Sequence, residues 1–196
     1  MALNIFDAAA KFFRGLHLFE SGVLLDQNES PVMLAGRRSL DDLAERYGDD
    51  IAYHGSRDYI PLLEPRQMTW YHPPSGKRFP DGAPAIGADT GYDIPTFMAL
   101  FSGRRRCTYM ADTDGTVKYT VGDPVTPEGQ DLNSLVGYVH VLERKHFETF
   151  TLDVPDGWPE PLSITRPPEL RAHVPVRPLA VVKVTLEDFP HPITFE

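Results

Sequence analysis

The chain has 196 residues, 41% hydrophobic and 24% charged, which suits one domain with a proper core and excludes bulk disorder. Its formal net charge is −9 and its longest basic run is Arg104-Arg105-Arg106, so broad, sequence-independent nucleic-acid binding is disfavoured. No apolar run approaches the roughly 18–20 residues that span a bilayer, and a lone Cys107 suits a reducing compartment, so the expected setting is cytoplasmic with no membrane partner.

Residues 4–20 predict a helix: Asn4 is placed as N-cap, and Ile5, Ala8, Phe12, Phe13, Leu16 and Phe19 recur at helical spacing. Asp7 and Lys11 interrupt its apolar start, so it does not read as a signal peptide. A second helix is expected from Ser39, with Asp42 completing a capping box, to a stop at Gly48. Residues 1–48 thus read as helical material packed on a core of residues 49–196.

From Ile51 the pattern turns to strands. Ile51 to His54 predicts a short strand, 71–83 a long binding loop or lid, and Pro84 to Ala88 another short strand. Asp93 and Pro95 open a helix that Gly103 closes. Cys107–Ala111 and Thr116–Val121 flank Asp112-Thr113-Asp114-Gly115, a hairpin turn that lacks the glycine and glutamate spacing of a calcium loop. Leu135–Leu142 and Leu179–Leu186 are strong strands, the second apolar enough to be central, and a Pro-rich stretch from Pro155 to Pro168 lies between them. Short helices followed by five to seven strands make the fold class α+β, mostly antiparallel.

Three segments carry candidate chemistry: His54-Gly55-Ser56 at a strand end, Ile86-Gly87-Ala88-Asp89 leading into a helix, and Glu169 ahead of Pro175-Val176-Arg177-Pro178 and a Val-rich strand. In that order they resemble the ADP-ribosyltransferase superfamily, in its poly(ADP-ribose) polymerase-like, His-Tyr-Glu branch of small bacterial or phage type. The resemblance covers roughly residues 51–190. It implies a split β-sandwich whose cleft holds NAD as substrate, with no metal. It implies that His54, Gly55 and Ser56 bind the nicotinamide end and that Glu169 and His54 are catalytic. Ile86 stands where the family has its tyrosine, so Tyr92, Phe97 or Tyr53 is expected to supply the ring contact. Arg66, and less directly Arg57, are expected on phosphate oxygens. Glu143 and Glu160 are weaker candidates for the catalytic acid, being at the wrong distance from the Pro-Val-Arg-Pro unit.

The chemistry of these side chains is consistent with that assignment. Cleaving a nicotinamide–ribose bond builds positive charge on the ribose, as in glycoside cleavage, and a fixed carboxylate stabilises it. A neutral imidazole exchanges hydrogen bonds with ribose hydroxyls. A glycine lets its backbone approach a planar carboxamide. The expected function is ADP-ribose transfer from NAD to an acceptor, protein or otherwise, that the sequence does not name, with NAD hydrolysis as the close variant. The alternative is a non-catalytic binding module acting through a partner protein. The histidines show no metal-ligand spacing.

Overall fold

The computed structural model describes residues 30–72, 77–111, 114–150 and 169–196. The helix expected over 4–20, Glu160, residues 112–113 of the hairpin turn and the Pro-rich stretch lie outside the described residues. In chain order the elements begin with β1 (Val32–Ala35), α1 (Arg37–Tyr47), β2 (Ile51–Ser56), β3 (Thr69–His72), β4 (Lys77–Pro80) and β5 (Ile86–Ala88). There follow α2 (Asp93–Phe101), β6 (Arg105–Ala111), β7 (Val117–Pro124) and β8 (Val136–Glu143). The series ends with β9 (Glu148–Phe150), β10 (Glu169–Ala172), β11 (Ala180–Thr185) and β12 (Ile193–Phe195). The class is α+β, and most pairings are antiparallel.

Four strands form the main sheet in the order β1-β11-β8-β2. The Val-rich β8 and β11 take its centre, as near-continuous apolar strands must. A second sheet runs β5-β10-β9 and a third β12-β7-β6. The first two are joined by a single bridge, Tyr53 to Asp89, with both backbone bonds at 2.9 Å.

Two cores sandwich the main sheet. On one face Ile51, Tyr53, Val139, Val141, Val182 and Val184 pack under α1 and α2, with Phe97 fully buried among them. On the other, Ala52 and Leu142 meet Ile86, Ala88, Leu170 and Ala172 of the second sheet. Each fully buried side chain of this kind is worth about 1.5–3 kcal/mol, so the cores fix how the sheets sit. The α2 backbone lies directly on β2 and β8, and two glycines admit it. A Cβ on Gly55 would stand 1.9 Å from the Pro95 carbonyl oxygen, and one on Gly137 2.5 Å from that of Ala99.

Several expectations are corrected. The segment before Gly48 is not wholly helical: β1 is a strand of the main sheet, parallel to β11. The helix begins at Arg37 rather than Ser39; its N-cap is Gly36, which has no side chain to cap with, and Ser39 Oγ donates to the Ala35 carbonyl at 2.8 Å. Its first N–H is met across the fold, by Asp188 Oδ1 at 2.8 Å from Arg37 N. The loop expected over 71–83 contains the antiparallel pair β3–β4. Twelve strands lie among the described residues where five to seven were expected, since bridging pieces as short as three residues carry too few side chains to show a period. The first two arginines of the triplet are tied to backbone carbonyls. Arg104 donates to the Ala99, Leu100 and Val136 carbonyls and Arg105 to those of Gly122 and Gly129, which leaves Arg106 exposed.

Candidate functional site

The main and second sheets part immediately after the Tyr53–Asp89 bridge. Continued pairing would set Gly55 opposite Gly87, but no such pair forms. Instead the His54 imidazole closes the gap, with Nδ1 2.6 Å from the Gly87 carbonyl oxygen. A carbonyl only accepts, so Nδ1 carries the proton and, in the neutral ring, Nε2 keeps a lone pair. Strand alternation decides the direction of the next backbone groups. Tyr53 turns its N–H and C=O to Asp89, so Gly55, two residues on, aims its own at the same open edge.

Glu169 reaches the same glycine from the second sheet. It opens β10 beside Phe150, and its Oε1 lies 2.8 Å from where a Cβ of Gly87 would stand. Its side chain is 30% exposed, which leaves the carboxylate within reach of a ligand. Met68 borders Gly87 as well, its sulfur 3.5 Å from that Cβ position. Arg66 hydrogen-bonds through its backbone to Ala85 and sends an exposed cationic side chain close enough to act on His54.

Behind His54 lies a second histidine. His140 is fully buried, its ring 5.9 Å from that of His54. The Ile60 N–H donates to its Nε2 at 3.0 Å, so its proton sits on Nδ1 and points to the His54 carbonyl at 3.3 Å. Burial pushes the His140 pKa down to about 4, with the His54 charge a further cause. The geometry gives the same sign, since a proton on Nε2 would face the Ile60 donor. Burial also lowers the pKa of His54; the Gly87 carbonyl opposes that shift and Arg66 adds to it. Both imidazoles are neutral at physiological pH.

The remaining expected site residues divide. Ser56 ends β2 opposite Tyr138, its Oγ accepting from the Asp58 N–H at 3.2 Å. Arg57 pairs with Asp58 at the surface. Two expectations are corrected. Ile86 is 3% exposed in the second core, paired with Ala172, and so faces away from Glu169 along the alternating strand. Phe97 is 0% exposed, packed on Phe101, Tyr119 and Phe189. Neither is available to stack on a ligand ring.

Tyr92 is committed elsewhere. Its hydroxyl donates to Asp41 at 2.5 Å, Arg37 lies over its ring, and it meets Tyr53 edge-on. Glu143, at the end of β8, is engaged by Lys145 and His146. A concavity of about 400 Å³ opens beyond Asp89, bounded by Asp93, Ile94, Tyr119 and His191. It adjoins the split rather than containing His54 or Glu169.

The sequence reading missed Gly87 and Arg171. In the sequence Gly87 is one glycine within Ile86-Gly87-Ala88-Asp89, yet it is the residue on which His54 and Glu169 converge. Arg171 follows Glu169 by two, the period that puts two strand side chains on one face. Tyr138 stands opposite Ser56 in the register, and Tyr59 meets the Tyr138 ring edge-on at 6.3 Å. No protein-family model, curated protein or solved structure matches the chain.

Proposed function

We propose that the protein binds NAD at the split between β2 and β5, in an ADP-ribosyltransferase-like fold, and transfers ADP-ribose to an acceptor. The observation that carries this reading is the convergence on Gly87: His54 holds its carbonyl while the Glu169 carboxylate lies over its α-carbon. Two residues this far apart in sequence, one with an open imidazole nitrogen and one with a reachable carboxylate, make a polar site at a sheet edge.

The nicotinamide carboxamide pairs with the Gly55 N–H and C=O, which aim into the split. His54 Nε2 accepts from a ribose hydroxyl. The bond from C1′ to the pyridinium nitrogen breaks with its electron pair going to nicotinamide, which leaves neutral. The positive charge gathers on the ribose, where Glu169 Oε1 stabilises it. The acceptor's nucleophile attacks C1′ and its proton passes to solvent. Water in that position gives hydrolysis. Arg66, exposed beside His54, is placed for the diphosphate.

A specific observation favours a second reading, a binding module without chemistry. The positions expected to stack on the nicotinamide ring, Ile86 and Phe97, are buried, and Tyr92 is held by Asp41. Adenine-labelled NAD separates the two readings. Released nicotinamide, with or without a labelled acceptor, supports the enzyme, and Glu169→Gln is expected to cut it by about a hundredfold or more while NAD still binds. If the wild-type protein binds NAD and yields neither product, the binding reading stands. If it does not bind NAD, the enzyme reading fails and the binding module is left to act through a partner protein.

A further inference from the structure

We infer that Arg171 is a positioning residue for Glu169: it holds one carboxylate oxygen so that the other stays over Gly87, while Asp81 absorbs most of the guanidinium charge. The kinetic consequences rest on the NAD reading above; the arrangement itself rests on geometry. Arg171 is only 1% exposed, and both its terminal nitrogens are engaged, while its buried Nε has no partner. One terminal nitrogen donates to the Asp81 carbonyl oxygen and the other to Asp81 Oδ2, each at 2.7 Å. The second nitrogen also donates to Glu169 Oε2, at 3.3 Å. The plane of the group lies over the Phe150 ring, 3.3 Å from its centroid, and Gly82, at φ 72°, leaves room beside it.

The inequality of those distances has a chemical meaning. A guanidinium paired with Glu169 alone would neutralise the charge needed beside an oxocarbenium-like ribose. Asp81, closer and 7% exposed, takes the larger share, so the three groups keep one net negative charge. Glu169 is then oriented through Oε2 without being neutralised, and Oε1 remains over Gly87. A lysine at 171 would offer a point charge without the planar fork that serves both carboxylates. Asp81 follows β4, and its N–H bonds back to the Met68 carbonyl ahead of β3, so the base of that hairpin is tied to the Glu169 strand.

The test compares Arg171→Lys, Glu169→Gln and the double variant for single-turnover nicotinamide release, NAD affinity by calorimetry and thermal unfolding. Arg171→Lys is expected to slow turnover about tenfold to a hundredfold, with NAD affinity within about twofold of wild type. In the Glu169→Gln background it is expected to slow turnover no further, because the group it positions is gone. Equal losses in both backgrounds would overturn the inference, leaving Arg171 a structural tie alone. Should Arg171→Lys fail to fold, Asp81→Asn takes its place, since it keeps the backbone bond to Arg171 and removes the competing charge. Its expected result is again slower turnover with unchanged affinity, and unchanged turnover counts against the inference. If the wild-type protein releases no nicotinamide, the transfer reading fails and unfolding alone decides. Midpoint shifts of the two single variants that do not add in the double support the Arg171–Glu169 contact, and additive shifts refute it.

Discussion

His54 donates from Nδ1 to the Gly87 carbonyl oxygen at 2.6 Å, and that bond stands where the backbone pairing of β2 with β5 stops. A side chain there completes what the strand no longer supplies, and the open backbone edge of Gly55 is the consequence. The site is a property of the split as much as of the residues lining it.

The first prediction follows from the same glycine. Gly87→Ala would bring a Cβ to 2.8 Å from Glu169 Oε1, the far end of a flexible side chain, so the carboxylate swings away and the fold persists. On the proposed NAD reading, nicotinamide release is expected to fall about tenfold to a hundredfold, as for other misplaced groups of this kind. The thermal midpoint is expected to move little. A large loss of stability with turnover intact would contradict the placement of Glu169.

The second concerns the seat of α2. At Gly55 and Gly137 an added methyl meets backbone rather than a mobile side chain, at 1.9 Å and 2.5 Å. Either Gly→Ala change forces the helix off the sheet and is expected to cost about 3 kcal/mol, at the upper end for overpacking. Denaturant unfolding checks it. A shift below about 1 kcal/mol would mean that α2 is not so tightly seated.

Much of this fold was legible in the sequence and some was hidden, for separable reasons. The strands around Tyr138–Leu142 and Val181–Val184 announced themselves through apolar, β-branched runs, and Asp93 and Gly103 bracketed α2. The cap of α1 could not be read locally, because Asp188 reaches Arg37 N from the far end of the chain. His54 and Glu169 were singled out by residue type and order. Which neighbours face the site depends on strand parity, which needs the register: Gly87 and Arg171 are opposite each other across β5 and β10, while Ile86 turns into the core. Phe97 misled for a related reason, since an aromatic on an apolar helix face has the same spacing whether it meets a ligand or Tyr119 and Phe189.

The third prediction tests that long-range cap. Asp188 accepts from Arg37 N through Oδ1, and from Thr185 N and Oγ1 through Oδ2. Asp188→Ala removes the cap of α1 and the capping box of the turn after β11 together. The expected cost is about 1–2 kcal/mol, that of a lost N-cap, read from chemical unfolding. Asp188→Asn keeps an acceptor oxygen and is expected to lose less than half as much.

The last prediction concerns acid. His140 is neutral in the folded protein, its pKa pushed down to about 4, whereas in the unfolded chain an imidazole titrates near 6.5. Between those values the unfolded state binds a proton that the folded state does not, so stability rises with pH across the interval. The His140 contribution is therefore complete above about pH 6.5 and declines as pH falls towards 4. Below 4 it declines no further, since both states are then protonated. Its size over the window is on the order of 3 kcal/mol, from about 1.4 kcal/mol for each unit of pKa difference. Other groups titrate in the same range, so the measurement is a difference: unfolding free energy from pH 7 to pH 4 in the wild type and in His140→Gln. The variant keeps an acceptor for the Ile60 N–H and cannot take up the proton. It is expected to be less stable at pH 7, because its side chain fills the site less well, and to lose distinctly less on acidification. Parallel pH curves for the two proteins would show that His140 is protonated without penalty, against its enclosure between Ile60 and His54.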